Sequence, residues 1–346
     1  MDRFTAGAQG TVSGGSEMLR VVGICGLGLI GSSAARALTG QGVEVLGLDL
    51  DSRIMDEALK FGVRPVASTD EMSGVDLMML AAPTGVNAQI LARLQESGPR
   101  VPTMDLGSAK SPIVEVWRAD SGRFPFVATH PMAGSQLSGV GAGSADLFVG
   151  AAWPVVIDEL TDPKALIVVL RAVLAFGAFP VPVTAATHDA VVAEVSHLPH
   201  LLAGALGRAA ATEPHRTLAL RLAAGSFRDI SRVCASPPAR TAEFVAANAR
   251  CAAERARLAS AELLRAARYL DDGDIAGLQE WLKSAHEARL DLERLERSPG
   301  ESASHASPAD LRAHMAGLVD TGSVMLDLRG DGPGSWASTW SARAGQ

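Results

Sequence analysis

Val21-Val22-Gly23-Ile24-Cys25-Gly26-Leu27-Gly28-Leu29-Ile30-Gly31 sets Gly26, Gly28 and Gly31 in GxGxxG register between an apolar run and a helix-like stretch. In that register the first glycine permits a tight turn, the second lets the backbone approach a pyrophosphate, and the third brings helix close to strand, with the helix N-terminus facing the phosphates. Glycine-rich turns also arise for steric reasons alone, so the context decides. A second apolar run, residues 43–49, ends in Asp49, at the spacing where a carboxylate accepts hydrogen bonds from the adenosine ribose. A carboxylate there repels a 2′-phosphate, so NAD is expected over NADP, with Arg53 tempering the preference. The expected cofactor contacts are Gly26, Leu27, Gly28, Leu29, Ile30, Gly31 and Asp49, together with Ala82 and Pro83 beyond the run 75–81.

Outward from this loop, the runs 21–25, 43–49, 75–81, 101–105 and 126–130 alternate with helix-like stretches and are apolar on both faces, as strands of a helix-covered parallel sheet are. Residues 153–157 and 179–183 read as further strands closing the same domain. After Thr184 the texture changes to Ala, Leu, Arg and Glu, and strand-like alternation disappears. The expected fold is an α/β Rossmann-type domain over 19–184, then an all-α domain over 185–297 whose long helices pack against each other within one subunit and across a two-fold interface. Residues 1–18 read as a flexible lead-in and 298–346 as a Gly-, Ser- and Pro-rich tail, loosely ordered or docked and short for a regulatory domain.

Bulk properties narrow the partners. The 346 residues suit two domains, and 31 basic against 38 acidic side chains give a net charge of −7, which argues against nucleic acid. A small anionic substrate stays open, because a few arginines in one cleft set the local potential. Cys25, Cys234 and Cys251 show no CxxC spacing and read as core thiols of a reducing compartment. With no export signal and no apolar run of the ~18–20 residues that a bilayer needs, the chain is expected to be cytoplasmic.

Three further segments, Asp105-Leu106-Gly107-Ser108-Ala109-Lys110, Thr129-His130-Pro131-Met132-Ala133-Gly134-Ser135 and Ser196-His197-Leu198-Pro199-His200, come in a fixed order with a fourth, Gly225-Ser226-Phe227-Arg228-Asp229-Ile230-Ser231-Arg232. As a set, spanning roughly 21–293, they resemble the prephenate and arogenate dehydrogenase family. The resemblance implies a Rossmann-type domain plus a helical dimerisation domain, and oxidative decarboxylation of a cyclohexadienyl carboxylate. In that reaction hydride leaves ring carbon 4, a base takes the 4-hydroxyl proton, and loss of carbon dioxide leaves an aromatic ring.

By family position the base is His130, with Ser108 binding the hydroxyl or steadying the imidazole. Histidine suits the task because its unperturbed pKa of ~6.5 lies near working pH. His130 and Ser108 each follow an expected strand, on the side where doubly wound sheets bind ligands. Alone, such a histidine would read as a strand-end turn cap, and such a serine as a helix cap; their matching neighbours reverse that order. Arg232 is the expected carboxylate ligand, since its planar fork pairs bidentately with carboxylates. The resemblance adds His197, Ser135 and Gln136 as substrate contacts, whereas His200 is expected to be structural beside Pro199. No carboxylate or cysteine completes a metal set with His197 and His200, so no metal is expected.

The chain departs from the family pattern at Thr241, where many members carry tryptophan, and in the stretch Ser236-Pro237-Pro238-Ala239-Arg240. Gln136 stands where several relatives have an acidic residue; a neutral amide does not favour the ammonium of arogenate and leans the substrate towards prephenate. The alternatives are arogenate or 4-amino-4-deoxyprephenate as substrate, a β-hydroxyacid dehydrogenase, and a non-catalytic NAD sensor. The β-hydroxyacid reading lacks its lysine at Gly204-Ala205-Leu206-Gly207-Arg208, and the assembled Ser108, His130, His197 and Arg232 weigh against a sensor.

Overall fold

Strands β1 (Val21–Cys25), β2 (Glu44–Leu48), β3 (Val63–Pro65), β4 (Leu77–Leu80), β5 (Thr103–Asp105) and β6 (Phe126–Ala128) pair in parallel in the order β3-β2-β1-β4-β5-β6. Helices α1 (Leu29–Gly40), α2 (Ser52–Leu59), α3 (Thr84–Ser97), α4 (Ser111–Ala119) and α5 (Pro163–Ala175) accompany them. The strands are apolar on both faces because the two faces feed separate cores. Val22, Ile24, Val45 and Met79 enter one, and Cys25, Leu46, Met78 and Leu80 the other. Chain direction along the sheet reverses between β1 and β4, the topological switch point outside which ligands bind. The computed structural model describes residues 19–135, 137, 139–212, 214–295, 300–330 and 336–341; the segment 1–18 and Gln136 lie outside the described residues.

The strands β7 (Ala152–Val156) and β8 (Phe179–Val183) form a parallel pair of their own rather than extending the main sheet, joined to the segment after β6 by an antiparallel bridge between Val155 and Thr129 and by the bonds from His130 N to Pro154 O and Met132 N to Ala152 O. Pro154, on the strand nearer the main sheet, has no N–H to give to a continuous ladder, and Pro180 and Pro182 lie on the outer edge of β8, where Pro182 O accepts from Asp320 N.

The described residues fall into two compact units: unit 1 runs to His188 and resumes at 300, and unit 2 begins at Asp189 and runs to 295. The return into unit 1 consists of β9 (Gly300–His305), α13 (Pro308–Leu318), β10 (Met325–Gly330) and β11 (Trp336–Ser341), with an antiparallel sheet in the order β10-β11-β9. Ser307 caps α13 by accepting from the N–H of Asp310, and Leu311, Met315, Trp336 and Trp340 join the core that also buries Leu166 and Leu170 of α5. The composition of this stretch did not suggest these elements.

Helices α6 (Ala185–Val192), α7 (Leu198–Thr212), α8 (Arg216–Leu222), α9 (Gly225–Ser231), α10 (Pro238–Ala247), α11 (Ala249–Asp271) and α12 (Ile275–Leu295) follow one another without an intervening strand. Pro199 lacks the N–H that would donate to Val195, and the backbone between α6 and α7 takes a π-helical turn over Ala193–His197. The resulting stretch Ala185–Thr212 is long and apolar enough to cross a bilayer by length and composition, so the expectation that no apolar run reaches that length does not hold by this measure. Within unit 2, Leu218, Leu222, Ile230, Leu263, Leu264, Leu270 and Ile275 are each more than half exposed.

Candidate active site

Three loops meet at the carboxyl ends of β1, β4 and β5. Gly26 adopts φ +93°, and a Cβ there would sit 2.6 Å from the backbone N of Ala82. A Cβ on Gly31 would lie 1.9 Å from the carbonyl oxygen of Gly26, so only glycine lets α1 approach β1 this closely. Gly28 is the opposite case: nothing lies within 4 Å of where its Cβ would be. Two glycines are therefore fixed by contact and the third by the space it leaves open, as a pyrophosphate against the N-terminus of α1 would require.

Asp49 follows β2 half-buried. Its carboxylate accepts from the N–H of Leu27 at 2.7 Å and from that of Asp51 at 3.0 Å, one bond to each oxygen. Each oxygen keeps a lone pair for the two ribose hydroxyls. Arg53 is turned to its own helix cap, pairing with Asp51 at 2.7 Å on the surface.

Ala82 and Pro83 are held by Asn87, a residue that sequence reasoning missed. Its buried amide oxygen accepts from Ala82 N at 3.0 Å and its amide nitrogen donates to Leu80 O at 2.9 Å. An asparagine one turn into a helix that follows Pro-Thr was the available signal.

Asp105 and Lys110, quoted above only as part of a motif, form a fully buried ion pair. Lys110 Nζ also donates to Thr129 O at 2.6 Å, while Asp105 accepts from the N–H groups of Gly107 and Thr129, each at 3.0 Å. Burial pushes the Asp105 carboxyl up, opposed by the Lys110 ammonium and these N–H groups. The pair bolts the loop carrying Ser108 to the end of β6, one residue before His130. Removing one partner would strand a buried charge at a cost of about 3–5 kcal/mol. Ser108 itself is half-buried and is not a helix cap, because α4 begins at Ser111 with Lys110 in the capping position.

His130 is half-buried, with its N–H bonded to Pro154 O at 3.0 Å. Its Nδ1 lies 3.0 Å from Nε2 of His188, which is buried, and the rings meet edge to face with centroids 5.2 Å apart. His188, on α6, is the second residue that the sequence reading overlooked. The pair His188-Asp189 opening an otherwise apolar helix was its signal. Ser135 is half-buried in the loop beyond His130, and its Oγ accepts from Leu137 N at 3.1 Å.

Unit 2 places its two motif histidines in different surroundings. His197 is wholly buried, 3.4 Å from the Asn248 amide and 5.5 Å from the Phe244 ring centroid, so its ring reaches no solvent within the unit. His200 is half-exposed on the other edge of Phe244, at 5.0 Å. Its pKa is lowered by partial burial first and then by the positive charges of Arg240 and Arg232. The π-helical turn over Ala193–His197 accompanies the inward placement of His197, while His200 stays partly open to solvent. Arg232 is exposed in the 3-10 turn after α9, and the unusual Pro237-Pro238 pair starts the helix that presents Arg240. Among the described residues, no group of three or more His, Cys, Asp or Glu side chains is placed to hold a metal ion.

Comparison with known proteins gives the family. The family model described as prephenate dehydrogenase, nucleotide-binding domain, matches residues 34–181, and the one described as prephenate dehydrogenase, dimerization domain, matches 184–284. Prephenate dehydrogenase of Bacillus subtilis is 30% identical over 79% of this chain and 76% of its own length. The chain belongs to the prephenate dehydrogenase family. Cyclohexadienyl dehydrogenase of Zymomonas mobilis is 32% identical over 78% of the chain and 95% of its own length. The crystal structure of A. aeolicus prephenate dehydrogenase with hydroxyphenyl propionate and NAD+ superposes with a TM-score of 0.73 at 25% identity, covering 80% of this chain and 99% of that one. Membership makes the chain an NAD-dependent oxidoreductase. The parallel sheet followed by a helical domain is the family's architecture.

Proposed function

We propose that the chain oxidatively decarboxylates prephenate, giving 4-hydroxyphenylpyruvate, carbon dioxide and NADH, in tyrosine biosynthesis. The observation that carries this reading is the His130–His188 pair at 3.0 Å beyond the carboxyl end of β6, on the same edge of the parallel sheet as the glycine loop. A base must present an unprotonated nitrogen. If His130 donates Nδ1–H to Nε2 of His188, its Nε2 is the atom that takes the 4-hydroxyl proton, and the second imidazole steadies the cation that forms. Bound NAD would accept the hydride from ring carbon 4. Ser108 is assigned to the same hydroxyl, holding it toward His130 while the proton leaves.

Prephenate carries two carboxylates, and the cationic groups suited to them are Arg232 and Arg240 with His200 between their fields. His200, rather than His197, is the histidine assigned to substrate. Ser135 remains a candidate contact from the loop after His130. Gln136, a neutral amide, supports prephenate over the amino-bearing arogenate. The carboxylates of Asp49 and Asp51 support NAD over NADP. The exposed leucines of unit 2 support a homodimer through that unit, and the three unpaired cysteines suit a cytoplasmic setting. Initial rates with prephenate, arogenate and 4-amino-4-deoxyprephenate, each with NAD and NADP, test the reading. The highest kcat/KM is expected for prephenate with NAD; a higher value for arogenate would transfer the assignment, and a flat absorbance at 340 nm with all three would end it.

A further inference from the structure

Every strand of the main sheet lies between Val21 and Ala128, so residues 300–341 are not needed to complete it. They are nonetheless tied to the helix that carries His188. The first turn of α6 holds no acidic residue of its own, although a carboxylate there is favoured by the helix dipole. Asp320, in the turn after α13, supplies one from far along the chain. Its Oδ2 accepts from Thr187 Oγ1 at 2.8 Å, its Oδ1 from Thr184 N at 3.3 Å, and its own N–H donates to Pro182 O at 3.4 Å. Thr184 Oγ1 closes the group by accepting from Thr187 N at 3.1 Å. His188 is the next residue, its N–H bonded to Thr184 O at 2.9 Å, and its ring meets His130. Asp320 also holds φ +61°, a conformation that only Gly, Asn and Asp adopt readily, so the backbone is shaped to present this side chain.

We infer that Asp320 is a positioning residue for the reaction: by capping α6 from the C-terminal segment it fixes His188, and His188 orients the imidazole of His130. This rests on the reading of His130 as the base. The contact set differs from a generic anchor because both acceptor bonds end within the single turn that precedes His188. The apolar docking of α13 and β10 on α5 holds the segment down without Asp320.

The test uses the full chain. Asp320→Gly keeps the backbone conformation and removes both acceptors, and Asp320→Asn keeps one acceptor oxygen. In Asp320→Gly, kcat is expected to fall about tenfold, with KM and the dissociation constant for NAD within about twofold of wild type, as for loss of a charged hydrogen bond acting on the chemical step. Asp320→Asn should recover most of the rate. In a His188→Asn background, adding Asp320→Gly should change kcat by less than about twofold, since the coupling runs through the missing ring. A kcat unchanged by Asp320→Gly, or a loss undiminished in the His188→Asn background, overturns the inference. Should Asp320→Gly fail to fold, Thr187→Val decides, because it deletes the donor and leaves the C-terminal segment intact: a lowered kcat supports the coupling and a wild-type kcat overturns it. Wild-type protein inactive on all cyclohexadienyl substrates overturns the functional reading and this inference together, whereas a full rate for Asp320→Gly on an active background overturns only the inference.

Discussion

Unit 1 and unit 2 solve the problem of burying apolar surface in different ways. The sheet of unit 1 encloses its Val, Ile, Leu and Met residues on both faces, down to Val22, Leu77 and Met104 with no exposed surface at all. Among its described residues unit 2 buries Asp189, Val192, Ala193, His197, Ala203, Ser236, Asn248 and Ala252, few of them large and apolar, and it leaves a series of leucines exposed. An apolar surface that extensive marks an interaction site rather than a finished exterior. The difference teaches that unit 1 is a complete core able to hold catalytic groups in place, while unit 2 is half of one. Its matched description as a dimerization domain agrees with that division.

The division of chemistry follows the division of packing, and the sharpest way to break it is at the base. His130→Asn should lower kcat by about 10²–10⁴ while leaving the dissociation constant for NAD close to wild type, measured by stopped-flow turnover and fluorescence titration. An unchanged kcat would remove the base from unit 1 altogether.

The next largest effect tests whether unit 2 is incomplete alone. Replacing Leu263 and Leu264 of α11 together by Glu places two charges on the exposed face and should convert a dimer to monomer in analytical ultracentrifugation, with the melting temperature losing its dependence on protein concentration. A double variant that sediments as wild type would show that this face is not the contact.

How much of this was legible follows the same boundary. The glycine loop, Asp49 and five of the six main strands could be read because turn chemistry and apolar runs are local signals. The short β3, Val63-Arg64-Pro65, was not, having one buried side chain to show for itself. Trp336-Ala337-Ser338-Thr339-Trp340 carries a clear period of two, with Trp336, Ser338 and Trp340 buried, yet the surrounding Gly, Ser and Pro masked it. Roles that depend on distant partners were the ones lost. Nothing near Asp105 or Lys110 announces a buried ion pair, nothing near His188 announces His130, and nothing in Ser196-His197-Leu198-Pro199-His200 announces the π-helical turn over Ala193–His197 that accompanies the burial of the first histidine but not the second.

A smaller effect is expected from Arg232→Ala. Losing one charged contact to a carboxylate costs about 1.5–3 kcal/mol, so KM for prephenate should rise roughly 10- to 150-fold with kcat little changed. A KM equal to wild type would move the carboxylate to Arg240 or away from unit 2.

The smallest effect sharpens the electrostatics of that same surface. His200 titrates below 6.5 because burial, Arg240 and Arg232 all disfavour its charged form. With the folded value below the unfolded one, the neutral ring's contribution to stability is present above the unfolded pKa and is lost as pH falls through the folded pKa. Arg232→Ala removes one of the two repelling charges, so the His200 titration followed by NMR should move up toward the unperturbed value without reaching it, since burial and Arg240 remain. The loss of stability on acidification should shrink in the same variant. If the His200 titration is identical with and without Arg232, the two side chains do not share a field, and the grouping of cationic residues proposed for the substrate carboxylates fails in unit 2 while the base in unit 1 is untouched.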